Sequence, residues 1–402
     1  MCLSRGPALH QLQGGCCSSE MSGALYTFPP SQTEYLRALR RGAVRLCSIS
    51  RRHPASVSLK DLMPPVYQQA VRGTCVAASA LAMLEYYEDC KARLSLQYLY
   101  EVTKELDREW VARNLKALEA GDATDAEFYA VFKTQIDQIR AVTNANGAGS
   151  APSHAFIKAF ADSLSANKDL KSGCLIRRCF EAIEKHGVCR YSIWPYANMQ
   201  VTQMFGGVAA TVAFPPGAHD DARKHRVLSE LYLLRAPNNV DEMRGILAGA
   251  NNRRPMPICA GLAIFEGCDG NGRFEFPETE ERDGALVSKN AFKGGHEVLI
   301  VGYEDDPAEK GGGRFIVRNS WGEEWGSGGY GTVSYAYVEC FCNEAGTILQ
   351  DMVDYEGDGY NGLRTVHGLE RPPLRRDGGG MVKLAAAFAA GAAAALLAAR
   401  FF

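Results

Sequence analysis

The chain has no excess of charge of either sign, since 44 Lys and Arg stand against 46 Asp and Glu in 402 residues. That balance offers no basic surface for nucleic acid and no strong field to steer a charged ligand. There is no charged-then-apolar leader at Met1, which points away from classical secretion. No C-x-x-C pair occurs, and the spacings of Cys174 to Cys179 and Cys340 to Cys342 lack the matching His ligands of a zinc site, so no metal and no cofactor is expected. Thirteen cysteines are an odd number, which leaves at least one thiol unbridged and does not read as a disulfide framework. The Asp-Gly-Asn-Gly run at 269–272 lacks the ligands of a calcium loop in the next two positions and reads as a hairpin tip.

What the chain does have is ample apolar content, 46%, enough for a buried core over two or three domains. Residues 294–331 carry the most information. Two runs rich in Val, Ile and Phe, 296–303 and 314–319, flank a loop of acids, Pro and Gly, the pattern of an antiparallel hairpin. A register centred between Pro307 and Ala308 would set His296 opposite Asn319, an arrangement in which an amide fixes one ring nitrogen of a His and leaves the other available. A nucleophile is found far upstream. Cys75 follows Gly73 and Thr74 and opens a run in which Val76, Ala80, Met83 and Tyr87 recur at helical spacing. A Cys in the first turn of such a helix sits near unpaired backbone amides and the positive dipole end, which lowers its thiol pKa.

Together these segments resemble the papain family of cysteine peptidases, most closely the cathepsin-like proteins of bacteria, viruses and protists. The residues that carry the resemblance are Gln69, Cys75 six positions on, His296, and Asn319 before Ser-Trp-Gly, and it covers roughly residues 59–345. It implies an α+β fold with a helical left lobe and an antiparallel, barrel-like right lobe. It also implies hydrolysis of peptide bonds in protein or peptide substrates, with Cys75 as nucleophile, His296 as base and acid, Asn319 orienting the ring, and Gln69 with the Cys75 N–H holding the oxyanion. Trp321 would shield the His296–Asn319 bond from water. Rival readings on the same fold are a thiol amidase or transferase and a non-catalytic binding protein. The chain departs from the family at Val76, where an aromatic usually follows the Cys, and at Ala70, where Gly follows the Gln. A third departure is Arg72, where relatives in oxidising compartments usually have a bridged Cys; this favours a reducing, cytoplasmic location. Gly294 and Gly295 place no charge before His296, so an apolar substrate pocket is the default.

Around this unit the composition changes. Residues 1–58 hold seven Arg, many Ser and only Glu20 and Glu34 as acids, which reads as a disordered or targeting extension shorter than a typical inhibitory pro-region, although 33–46 could form a short basic helix. Residues 105–171 form a charged, helix-favouring insertion broken at 144–152. Residues 346–380 read as a linker. The Ala-rich segment 381–402, uncharged from Leu384 to Ala399, is a candidate helix for contact with a membrane, though 16 residues reach only about 24 Å.

Overall fold

A computed structural model of the chain describes residues 25–27, 30–40, 53–70, 72–126, 128–129, 136, 173–196, 213–227, 230–234 and 239–350. In chain order the elements are β1 (Leu25–Thr27), α1 (Pro30–Arg40), β2 (Ser56–Ser58), α2 (Cys75–Tyr87), α3 (Leu96–Ala120), α4 (Ile176–Lys185), α5 (Ala218–Ala222), β3 (Glu230–Leu233), α6 (Val240–Leu247), β4 (Ile258–Phe265), β5 (Arg273–Phe274), β6 (Thr279–Arg282), β7 (Ala285–Asp305), β8 (Gly313–Arg318), β9 (Tyr330–Ser334), α7 (Tyr335–Phe341) and β10 (Cys342–Leu349). Helices fill the first half and strands the second, the α+β arrangement expected. The strands run β3-β10-β4-β7-β8-β9-β5 with β1, β2 and β6 also on β7, antiparallel except for the short β5 and β9 pair.

The helix α2 lies against this sheet and is buried from Cys75 to Tyr86. Its Ala, Leu and Met side chains are strong helix formers with no polar face to keep wet, so the helix is stable only inside. Its one charge, Glu85, is satisfied by the Tyr67 hydroxyl at 2.6 Å and the Leu94 N–H at 2.6 Å. Next, α3 is capped at its start by Ser95, whose hydroxyl accepts from Tyr98 N–H at 3.0 Å, and ends at Gly121 in the left-handed region. It runs without a break past residue 105, so the insertion begins as a continuation of a family-like helix. It brings its own small core, in which Trp110, Leu118, Phe128 and Ile136 are buried.

Two boundaries read from composition fall inside the sheet. Within 1–58, β1 pairs with β7, and α1 is held by Arg37 to Glu281 at 2.7 Å, by Tyr35 to Glu339 at 2.7 Å and by Gln32 to the Cys340 carbonyl at 3.1 Å. β2 pairs with residues 302–304 of β7 and so belongs to the sheet. At the other end β10 runs to Leu349 between β3 and β4, so the sheet continues four residues past 345. The Arg and Ser content of the first segment had suggested disorder because its partners lie more than two hundred residues away, beyond any local pattern. The turn at 270–272 likewise leads into β5, which pairs with β9 rather than folding back on β4. No helix among the described residues is long and apolar enough to cross a membrane, and the segment 381–402 lies outside those residues.

Candidate active site

Cys75 is the first residue of α2, as its place after Gly73-Thr74 suggested, and is buried. On β7, His296 Nε2 lies 2.8 Å from Asn319 Oδ1, a bond in which the ring N–H donates because the amide oxygen can only accept. The same oxygen accepts the Ser320 N–H at 2.8 Å, and Asn319 N–H donates to the Gly329 carbonyl at 2.9 Å, so the amide has little freedom to turn. The other ring nitrogen, His296 Nδ1, is enclosed and without a hydrogen-bond partner among the described residues.

The hairpin that brings His296 and Asn319 together is in a different register from the one expected. Leu299 faces Arg318 and Ile300 faces Val317, followed by a bulge before Gly302 faces Ile316. The strands are therefore two residues out of step with a symmetric turn at 307–308, because Gly311 and Gly312 take left-handed conformations and lengthen that side of the loop. In this register the residue opposite His296 is Trp321 rather than Asn319. The indole stacks on the imidazole, ring centres 4.5 Å apart and 25° between planes. Asn319 reaches the ring from beyond the end of β8, and the indole covers the pair.

Gln69 is brought to the same place by backbone. Its N–H donates to the Ser320 carbonyl at 2.9 Å, Gly322 N–H donates to the Tyr67 carbonyl at 3.1 Å, and Gln68 bridges Trp321. The strip before the nucleophile is thus laced to the strip after Asn319. The Gln69 side chain is 0% exposed. Its carbonyl accepts from the Ser320 hydroxyl, and its amide donates to the Arg72 carbonyl at 2.9 Å, which leaves one amide hydrogen for other use.

Two residues not singled out for the site also shape it. Tyr196, in the Trp-Pro-Tyr turn, donates its hydroxyl to the Gln69 carbonyl at 2.9 Å and lies 3.3 Å from Thr74 Oγ1, so it touches the loop on both sides of its bend. Arg72 reaches α3, where it meets Gln97 Oε1 at 2.9 Å and Glu101 at 2.9 Å and lies over the Tyr100 ring at 4.6 Å. An ion pair stands where relatives from oxidising compartments place a bridged Cys, and no disulfide joins any of the nine described cysteines. Ala70 adopts φ 53°, a left-handed conformation that a Gly would take without strain. A hollow of about 350 Å³ lined by Leu59, Tyr86, Cys90 and Arg254 lies at the carboxyl end of α2, far from Cys75.

Comparison with known proteins places part of the chain in a family of similar sequences. Residues 280–348 match the family model described as papain family cysteine protease, a span that holds His296 and Asn319 but not Cys75. The chain is 27% identical over 198 residues to an uncharacterized peptidase C1-like protein of Acanthamoeba polyphaga mimivirus, covering 46% of this chain and 54% of that protein. It is 33% identical over 102 residues to ananain of Ananas comosus, covering 23% of this chain and 26% of ananain. It therefore spans about half the length of the first of these relatives and a quarter of the second. Among solved structures, xylellain, a cysteine protease from Xylella fastidiosa, aligns over 76% of this chain and 89% of its own at 20% identity with a TM-score of 0.47. The resemblance to papain-family cysteine proteases thus reaches beyond the motifs into the whole His296 and Asn319 hairpin.

Proposed function

We propose that this chain is a thiol endopeptidase that cleaves peptide bonds with Cys75, His296, Asn319 and Gln69. The observation that carries the reading is the His296 Nε2 to Asn319 Oδ1 bond of 2.8 Å beneath the stacked indole of Trp321. A His fixed in this way presents only Nδ1 for proton transfer, and a thiol at the start of a buried helix is the group such a nitrogen would activate.

In this mechanism the Cys75 thiolate attacks the peptide carbonyl carbon, a C–S bond forms, and the carbonyl electron pair moves onto oxygen. The Cys75 N–H and the remaining Gln69 amide hydrogen receive that oxyanion. Collapse breaks the C–N bond as His296 gives its proton to the leaving amine. Water then attacks the thioester, His296 takes the proton, and the thiolate departs. Asn319 holds the imidazole in plane, and Trp321 keeps water from the bond that holds it. The family's substrates, proteins or peptides, are the substrates proposed here.

The test is reaction with a thiol-directed epoxide, followed by mass spectrometry. A single adduct on Cys75, lost in Cys75→Ala along with all peptide cleavage while the fold is kept, is the expected result. Labelling elsewhere, or turnover that survives the substitution, would refute it.

A further inference from the structure

The two groups proposed to receive the oxyanion lie at either end of one loop, and a single carbonyl is bonded to both ends. The Gln69 side-chain amide donates to the Arg72 carbonyl at 2.9 Å, and the Thr74 N–H, one residue before Cys75, donates to the same oxygen at 2.8 Å. Both lone pairs of that oxygen are thereby used. The amide group of Gln69 is planar. With one hydrogen held by Arg72 and its carbonyl oxygen held by the Ser320 hydroxyl, the second hydrogen is left a single direction. Where the Arg72 carbonyl moves, the Gln69 donor must follow.

The Arg72 N–H reaches the Gln69 carbonyl only at 3.4 Å, longer than an ordinary N–H···O bond, so the main chain alone fixes that carbonyl weakly. The side chain does more. It leaves the site for α3, where the guanidinium donates to Gln97 Oε1 at 2.9 Å and to Glu101 Oε1 at 2.9 Å and lies 4.6 Å from the centre of the Tyr100 ring. The Tyr196 ring, whose hydroxyl holds the Gln69 carbonyl, stands 6.0 Å away. Gln97 donates to Glu101 at 2.7 Å, so the two acceptors are set by each other as well as by Arg72. The ion pair is nearly enclosed, its side chains 12% and 10% exposed. A buried pair of this kind gives little net stability over apolar side chains of the same volume. What it adds is direction, because a planar fork accepted at two points restricts where the Arg72 main chain can lie.

We propose that Arg72 is a positioning residue, whose clamp on Gln97 and Glu101 of α3 aims the remaining Gln69 amide hydrogen at the oxyanion. The inference rests on the peptidase reading above. Arg72 itself touches no substrate in this arrangement. Its effect therefore belongs to the transition state, where negative charge gathers on the carbonyl oxygen, and not to substrate binding. A donor turned away from that oxygen lowers the rate even though it is still present.

The experiment keeps the full chain and reads steady-state kinetics on one peptide substrate together with the urea unfolding midpoint. Arg72→Met alone strands the Glu101 charge. The combined variant Arg72→Met/Gln97→Leu/Glu101→Leu instead exchanges the whole cluster for apolar side chains and should unfold close to the wild-type midpoint. If Arg72 positions Gln69, this variant loses about tenfold in kcat with KM changed by less than about twofold. In a Gln69→Ala background the same substitutions should lower kcat by less than about threefold, because the donor they misdirect is gone. Wild-type kcat in the combined variant, or a tenfold loss that persists without Gln69, overturns the inference and leaves the peptidase reading intact. Arg72→Lys keeps the charge but cannot span both acceptors in one plane, and it decides the matter if the combined variant does not fold. It should lose about three- to fivefold in kcat alone, and wild-type kcat there overturns the inference. If the wild-type chain cleaves no peptide, the peptidase reading fails instead. NMR relaxation of the Gln69 side-chain amide then decides for Arg72: an order parameter that falls in the variants supports the clamp, and one that stays unchanged refutes it.

Discussion

The two sides of the site are held by different physics. His296 lies on a strand paired on both edges, with β4 on one side and β8 on the other, and the orientation of its ring is fixed by Asn319 and by the stacked Trp321. The loop that delivers Cys75 has only the short lacing of residues 67–69 to 320–322, and beyond it depends on side chains: Tyr196, Ser320 and the Arg72 ion pair with α3. Backbone ladders tolerate substitution of side chains, whereas a loop tied by side chains loses its shape one residue at a time. Damage to the fold should therefore fall mainly on the thiol side, and damage to chemistry on both.

The largest effect expected within this contrast is at Gln69. Gln69→Ala removes one of the proposed oxyanion donors and should lower kcat by about 10² to 10³ with KM little changed, as measured by steady-state kinetics. A loss in kcat of less than about threefold would separate Gln69 from the chemistry. Asn319→Ala leaves the ring present but less well oriented, so its loss should be about 10- to 100-fold and smaller than that of His296→Ala.

Arg72→Met breaks the contrast from the other direction. Glu101 would remain largely buried without its cation, which should destabilise the chain by about 2–4 kcal/mol in denaturant unfolding, with parallel loss of activity. An unchanged unfolding midpoint would show that the loop holds itself.

Glu297 gives the pH test. Burial raises its carboxyl in the folded chain above the ordinary value of 4.5, so the folded state keeps the proton over a range of pH in which the unfolded state has released it. Stability contributed by that proton is fully present below about pH 4.5 and declines as pH rises toward the folded-state value, by at most about 1.4 kcal/mol per pH unit. Glu297→Gln should remove this decline, so the variant gains on the parent as pH rises from 5 to 8. Parallel curves for the two would show that the carboxyl is not raised.

The smallest effect belongs to Ala70. Its left-handed backbone should be relieved in Ala70→Gly, and the folded chain should gain up to about 1 kcal/mol, read from the thermal midpoint.

Much of this site was legible because its chemistry lies in short motifs with local geometry. Cys75 had to open a helix, since only small and apolar residues follow it, and His296 had to lie on a strand. The register of the hairpin was not legible, because it depends on how Gly311 and Gly312 fold the turn, and a two-residue shift changes which side chain meets the ring. The structured part of the first 58 residues was hidden by distance alone: Arg37 and Glu281 carry no mark of each other in the sequence.

The lacing of residues 67–69 to 320–322 also bears on time. Ribosomes deliver a chain at about 5–20 residues per second, so Cys75 precedes Asn319 by about 10 to 50 s. During that interval α2 has neither β7 to lie on nor an imidazole to meet, and α1 waits still longer for Glu339. A nascent chain of this kind carries its thiol through synthesis without the proposed centre, which can be assembled only when the last strands have emerged and closed on the first.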